Sequence, residues 1–474
     1  MENLNFINAS SQSQSHESIS DFNSIKEQDP KEQTNEIICE LLRKFEFEKN
    51  VVTTDINNRI ILKVKNREII TEVLAPKFLY AFKKLMLSTD KAHTIIPLEA
   101  TEKKHLIFLN TVSKKRKRTE VQLFYVPAEI KAKGGFSEYK EIIKIGSDKI
   151  KGLKKVKNVN HSYIIDQEQS MLKQLHAVLP VDEFLDPKGL KHLGIQDAFE
   201  FGRFGYKEQE SYAVGTAFQG NARQINCPGF TILVVLYQIA FGLKILNDFQ
   251  LFEHDIKASN VLFLIDEKFP LTVRAVLSDV NLLTNERLRD KCKNNQFSGT
   301  TPFGISTPRY QPKTDHEKIV GYYKEISECD KNKPEEFETI FAKTLKLRRK
   351  NMISLVGQTF FQLLTLHPSQ DPWPQEFIAT DDQETIELFR NKLLAKIRIK
   401  QYGNELLNGV ELTEEQKLFC VEITDLILNM TDLNHEMRPT ANEVLEKLLV
   451  MIKNYSPSHY EGIVKNGWTN GYEE

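Results

Sequence analysis

The chain has 474 residues, 40% hydrophobic and 27% charged, with 64 basic against 65 acidic side chains and a net charge of −1. These proportions exclude collagen-like, wholly disordered and disulfide-stapled classes, and the near-zero charge argues against a globally basic nucleic-acid binder. At roughly 150 residues per domain, the length leaves room for two or three domains or one large two-lobed one.

Residues 1–35, with the run SSQSQSHESISDFNS, are too poor in apolar groups to offset ordering entropy and are expected to form a disordered tail. Residues 36–127 turn globular. NEIICELLRKF and APKFLYAFKKLML carry apolar side chains at helical spacing, while RIILKVK, HLIFLNTV and EVQLFYV suit strands. This predicts an accessory α+β region of unassigned role. From Ala132 short strands give way to a helix and then mostly helices as far as Tyr455. The run Phe230–Leu246, FTILVVLYQIAFGLKIL, is broken by Gln238 and Lys244, and it falls short of the roughly 20 apolar residues a membrane span needs. It is expected to be a buried helix, so no transmembrane segment is expected. A charged insert over 314–350 scans as helical and polar, and 456–474 as a loose C-terminal tail.

Cys39, Cys227, Cys292, Cys329 and Cys420 show no metal-ligand spacing, and the N-terminus lacks a basic stretch followed by an apolar one. Both features favour a reducing, cytoplasmic compartment. Between residues 101 and 157 lie 16 basic and 6 acidic residues, a net of +10 that leaves the rest of the chain at −11. That stretch suits an acidic partner, or enriches a phosphate-binding region with positive charge. Within it, Lys114–Arg118 reads equally as a nuclear-import signal or a solvated hairpin turn.

The sharpest chemical signal is Glu253-His-Asp-Ile-Lys-Ala-Ser-Asn260, a loop between the apolar helix and the strand-like VLFLI. Asp255, Lys257 and Asn260 together form the set phosphoryl transfer asks for. A carboxylate takes the proton of the attacking hydroxyl, a cation stands near the transferred group, and an amide oxygen can hold a metal. In VLSDVN, Asp279 ends another apolar strand, where an acid could hold Mg²⁺.

These residues resemble, in order and spacing, the eukaryotic-type protein kinase superfamily, with its H-R-D-x-K-x-x-N and D-F-G motifs. Lys257, two residues after the Asp, is more similar to the Ser/Thr-specific branch. Upstream, Lys133-Gly-Gly-Phe-Ser-Glu-Tyr139 resembles the glycine-rich loop, with Gly134, Gly135 and Phe136 over the phosphates, although two adjacent glycines also suit a plain hairpin turn. GLKKVKN resembles the strand bearing the phosphate-binding lysine. The match picks Lys154, with Lys151, Lys155 and Lys157 as competitors. EQSMLKQLH resembles helix C, with Glu168 as the lysine's partner or else a plain surface charge. Gly299–Pro312, LVGQTFFQLLTL and MTDLNHEMRPTANEVLEKLL resemble the end of an activation segment and the closing helices, with Arg438 as a buried arginine.

The resemblance covers residues 130–455. It implies a bilobal α+β fold, with a small β-rich lobe from about 130 to 213 and a helical lobe from about 220 to 455, preceded by the N-terminal extension. It further implies ATP and Mg²⁺, an adenine-contacting hinge at Val214, Thr216 and Phe218, metal ligands Asn260 and Asp279, and catalysis by Asp255 and Lys257 on Ser or Thr hydroxyls of a protein. A pseudokinase acting as a nucleotide-binding scaffold is the alternative. The chain departs from the family pattern at several positions. Glu253-His254 replaces His-Arg, and Asp279-Val-Asn281 replaces D-F-G. Lys313 stands where the A-P-E motif has Glu, and Asn351 or Met352 stands where an Asp precedes Gly357. Asp315 is near enough in sequence to supply the acid that Arg438 would otherwise lack. Without the Arg that reads a loop phosphate, activation is expected not to need one. Alanine at the Ser and Thr positions between Ser298 and Thr307 should leave most kinase activity in a transfer assay, and a near-complete loss would refute this. The divergence fits a protist kinase, or one that a bacterium delivers into the cytoplasm or nucleus of a host cell.

Overall fold

The computed structural model describes residues 52–64, 67–86, 93–97, 105–113, 118–133, 137–146, 150–158, parts of 160–170, 198–204, 210–217, 220–221, 230–252, 256–265, 273–278, 283–284, 313–329, 334–365 and 382–465. These residues form a mixed α+β protein. The chain divides into two compact units, one of residues 1–130 with 140–150, the other of 131–139 with 151–474.

In the first unit, β1 (Val52–Thr54), β2 (Arg59–Val64) and β3 (Arg67–Leu74) form an antiparallel meander. β2 alternates as a half-buried strand must: Ile60, Leu62 and Val64 are buried while Arg59, Ile61 and Lys63 are not. Between β1 and β2, the Asp55 carboxylate accepts the N–H groups of Asn57 and Arg59 at 2.9 and 2.8 Å. Asn58 takes φ 58°, a left-handed value that Asn tolerates better than most residues. α1 (Ala75–Met86) follows β3 directly, and Phe78 is buried on it. β4 (His93–Pro97), β5 (His105–Ser113) and β6 (Arg118–Val126) continue as antiparallel neighbours. β5 and β6 pair without a slip from His105↔Val126 to Ser113↔Arg118, so Lys114–Lys117 join the ends of a regular hairpin. These four residues lie outside the described ones, as do residues 1–51 and the helix expected at NEIICELLRKF.

β7 (Ala132–Lys133) and β8 (Ser137–Lys144) follow, and β8 serves both units. Its far end pairs with β6 (Tyr125↔Ile143), whereas its near end pairs with β7 (Ala132↔Tyr139, Lys133↔Glu138). The boundary expected near residue 130 is therefore not a single cut, because 140–150 fold with the first unit.

The second unit continues with β9 (Ile150–Val156), β10 (Ala198–Phe204) and β11 (Glu210–Thr216), with β11 between the other two. After β12 (Gly220–Asn221) comes α2 (Thr231–Asp248), the expected buried helix, in which Ile232–Phe241 are all buried. Among the described residues no helix is long and apolar enough to cross a membrane. The polar side chain in the middle of α2 ties the helix to a strand, as Gln238 Oε1 accepts the N–H of Ala275 at 2.5 Å. β13 (Leu251–Phe252), β14 (Val261–Ile265), β15 (Val273–Leu277) and β16 (Leu283–Thr284) then form two small ladders, β12–β14–β15 and β13–β16.

The region expected to be a polar helical insert is a helical hairpin with a core of its own. α3 (Lys313–Glu328) and α4 (Pro334–Thr365) bury Ile319, Tyr323, Ile326, Ile340, Phe341 and Leu347 against each other. α4 runs unbroken into the segment LVGQTFFQLL, buried on every side from Asn351 to Gln362. Gly357 is obligatory there, since a Cβ would meet Met430 Cβ at 2.8 Å and Thr431 Cγ2 at 2.9 Å. α5 (Gln383–Leu407), α6 (Glu414–Met430) and α7 (Ala441–Tyr455) complete the helical core. Capping boxes start α6 (Thr413 with Gln416) and α7 (Thr440 with Glu443). Phe230, Phe419 and Tyr455 meet at centroid distances of 5.3 to 5.6 Å, tying the start of α2 to α6 and α7.

One expectation is corrected at the C-terminus. Residues 457–465 are not loose tail but α8 (Pro457–Lys465), whose Ile463 is fully buried in the main core. Ser456 bonds His459 at its first turn, and burial lowers the His459 pKa. One buried residue with the half-buried Tyr460, among polar neighbours, gave too little periodicity to reveal it.

Candidate functional site

The site residues sit on elements whose sequences explain their placement. On β9, Gly152, Leu153 and Val156 are buried while Lys154 keeps slight exposure. Glu168 lies in a helical stretch within 162–170 and is itself buried. The two side chains meet, with Lys154 Nζ 2.9 Å from Glu168 Oε2, their side chains 16% and 11% exposed. This separates Lys154 from its neighbours Lys151, Lys155 and Lys157, which sequence spacing left as competitors. A pair this shielded is screened less by solvent than a surface ion pair.

β11 lies directly beside β9, with Val214↔Leu153 and Thr216↔Lys151 in register. Val214 is fully buried, and the ladder ends at Thr216. Phe218, the last expected hinge residue, lies outside the described residues. So do Gly134, Gly135 and Phe136, which stand in sequence between the paired residues Lys133 and Glu138.

The loop after α2 is pinned from several sides. α2 ends at Asp248, Gln250 takes a left-handed φ of 54°, and β13 pairs Phe252 with Leu283. Asp255 lies outside the described residues, and Ile256 beyond it is buried. Lys257 is extended, with φ −157° and ψ 161°, and it starts a single 3₁₀ turn, Ala258–Asn260, closed by the Asn260 N–H to Lys257 O bond of 2.8 Å. The chain then enters β14, whose pairing with β15 sets Val261 opposite Leu277.

That register brings Asn260 beside Ser278. The main-chain oxygen of Asn260 accepts both the N–H of Ser278 at 2.7 Å and its hydroxyl at 2.8 Å. Ser278 immediately precedes Asp279, which lies outside the described residues. The two bonds use the backbone of Asn260, and its buried side-chain amide oxygen is a hard donor of the kind Mg²⁺ accepts, as is a carboxylate such as Asp279. By residue type alone, an amide oxygen and a carboxylate suit a divalent cation. Among the described residues, no cluster of three or more His, Cys, Asp or Glu side chains is arranged to hold a metal.

Two residues that sequence reasoning did not reach contribute here. One is Ser278. The other is Gln362, on the last turn of α4, whose Oε1 accepts the N–H of Ala258 at 3.3 Å. Neither position carries a local signal, because each acts through a partner distant in sequence.

Farther along the chain, Arg438 is buried, as expected, and Asp315 is its partner: Nη1 lies 2.5 Å from Oδ2, and both side chains are fully enclosed. Arg438 Nε also donates to the main-chain oxygen of Asp432 at 2.7 Å. His435 lies between Lys318 and Glu436, and burial first, then the neighbouring Lys318 charge, lowers its pKa.

A comparison of the chain with models of known protein families finds no match, and a search of curated protein sequences finds none.

Proposed function

We propose that the chain is a Ser/Thr protein kinase of bilobal architecture, transferring the γ-phosphoryl group of ATP to protein hydroxyls. The observation that carries this reading is the Lys154–Glu168 ion pair, formed between a strand and a helical stretch of otherwise unrelated sequence. The succession of elements adds support: the lysine strand, the glutamate helix, a buried helix, and the turn bearing Lys257 and Asn260 before a β-hairpin that ends at Leu277, two residues ahead of Asp279 in sequence.

In this reading Lys154, oriented by Glu168, binds the α- and β-phosphates. Asp255 aligns a substrate hydroxyl and accepts its proton as the new P–O bond forms and the bond to ADP breaks. Lys257 offsets charge on the transferring group. Asn260 and Asp279 would hold Mg²⁺, which when bound neutralises phosphate charge. The substrate is a protein, and the basic 101–157 stretch would face an acidic partner.

The test is transfer of label from γ-labelled ATP, with Mg²⁺, to protein acceptors. Lys154→Met should lower the rate about 100-fold, the usual scale for removing one preorganised charge-stabilising donor. Equal label from wild type, Lys154→Met and Asp255→Asn would remove the enzyme reading and leave a nucleotide-binding scaffold, whereas activity kept in Lys154→Met but lost in Lys151→Met or Lys155→Met would overturn the lysine assignment alone.

A further inference from the structure

The loop carrying Asp255, Lys257 and Asn260 begins its 3₁₀ turn at Ala258, and such a turn leaves its first N–H without an acceptor of its own. The cap residue Lys257 makes no side-chain bond to the turn. Ala258 is 98% buried, so water is a poor substitute, and an unmet buried N–H costs about 1–3 kcal/mol. The acceptor comes from 104 residues away: Gln362 Oε1, 3.3 Å from Ala258 N. Gln362 is itself 94% buried, in the most enclosed part of α4.

We infer that Gln362 is a positioning residue for phosphoryl transfer, holding the loop at the backbone N–H of Ala258, directly after Lys257 and two residues before Asn260. The inference rests on the kinase reading above. The opposite end of the same turn is held by Ser278 at Asn260, so the turn is clamped at both ends: by α4 at its start and by the residue that follows β15 at its finish. With the acceptor removed, the start of the turn loses this tether while the bonds at Asn260 remain. Lys257, and Asp255 three residues before Ala258, would then drift relative to the metal-binding Asn260. Misplacement of about 1 Å from a change outside the reacting groups is enough to cost on the order of 100-fold in rate.

The experiment compares wild type, Gln362→Met and Gln362→Glu as full chains. Methionine keeps the volume and removes the acceptor, whereas glutamate keeps a carboxyl oxygen at the same reach whether or not it is ionised. Three quantities are read: kcat for phosphoryl transfer, Kd for ATP, and amide hydrogen exchange in a peptide covering 256–262. We expect Gln362→Met to lose about 10- to 100-fold in kcat. Its Kd for ATP should stay near wild type, and exchange over 256–262 should be faster. Gln362→Glu should recover most of the kcat. The inference is overturned if Gln362→Met keeps wild-type kcat, if kcat and ATP affinity fall together with the melting temperature, or if Gln362→Glu is as impaired as Gln362→Met. Should wild type transfer no phosphoryl group, the kinase reading fails separately. Exchange then decides the clamp alone: faster exchange in Gln362→Met upholds it, and unchanged exchange overturns it.

Discussion

Asp315→Ala should be strongly destabilising, costing about 3–5 kcal/mol. The reason is what it leaves behind. Asp315 and Arg438 are fully enclosed, and removal of the carboxylate strands a guanidinium where water cannot reach it. Arg438 keeps its bonds to the main-chain oxygens of Asp432 and Lys350, which offset part of that cost but carry no full charge. Against a total stability of roughly 5–15 kcal/mol, this loss should lower the melting temperature by about 10 °C or more. Thermal unfolding followed by circular dichroism measures it, and a shift within about 1 °C would refute the assignment. The pair is not ideally satisfied either: among the described residues, Asp315 Oδ1 and Arg438 Nη2 have no partner. The double variant Asp315→Leu with Arg438→Met should therefore recover much of the loss, since apolar replacements of buried ion pairs are often near neutral. Asp315 also lies in the first turn of α3, directly after the segment Gly299–Pro312, so this pair fixes where that segment rejoins the core.

That acid shows how far sequence reasoning reached. Lys313 left Arg438 without its usual partner, and Asp315 could be named because the substitute stands only two residues away. Local patterns were legible wherever one periodicity governed: the alternation of β2, the long apolar run of α2, the hairpin of β5 and β6. They failed where burial is sparse or masked by charge. In α3, Ile319, Tyr323 and Ile326 recur at helical spacing but sit among Lys and Glu, so the core they build with α4 read as a polar insert. In α8 one residue, Ile463, is fully buried and Tyr460 packs partly against the core. In the candidate site, spacing alone could not choose Lys154 over three neighbouring lysines, because that choice depends on which side chain of β9 reaches Glu168. Gln362 and Ser278 were invisible for the same reason: hydrogen bonds across 104 and 18 residues leave no local pattern.

Asp255→Asn should separate chemistry from binding more cleanly than any other change. The positions that hold its loop are independent of the carboxylate. Phe252 is paired in β13, Ile256 is buried, Ala258 is bonded to Gln362, and Asn260 to Ser278. Asparagine has nearly the same size and shape, so these anchors should persist, with the melting temperature within about 1–2 °C of wild type, as for a substitution that disturbs no buried contact. What is lost is a proton acceptor. Positioned acid–base groups contribute about 100- to 10,000-fold, and the transfer rate should fall by that factor. Affinity for ATP should hardly change, because the proposed phosphate contacts come from Lys154 and the glycine pair and the metal contacts from Asn260 and Asp279. Single-turnover transfer with labelled ATP, alongside a nucleotide-binding titration, measures both quantities. Loss of binding together with rate would instead make Asp255 a structural residue. An unchanged rate would mean that the hydroxyl is activated elsewhere, and the roles given to Lys257 and Gln362 would fall with it, since both are argued from the position of the same loop.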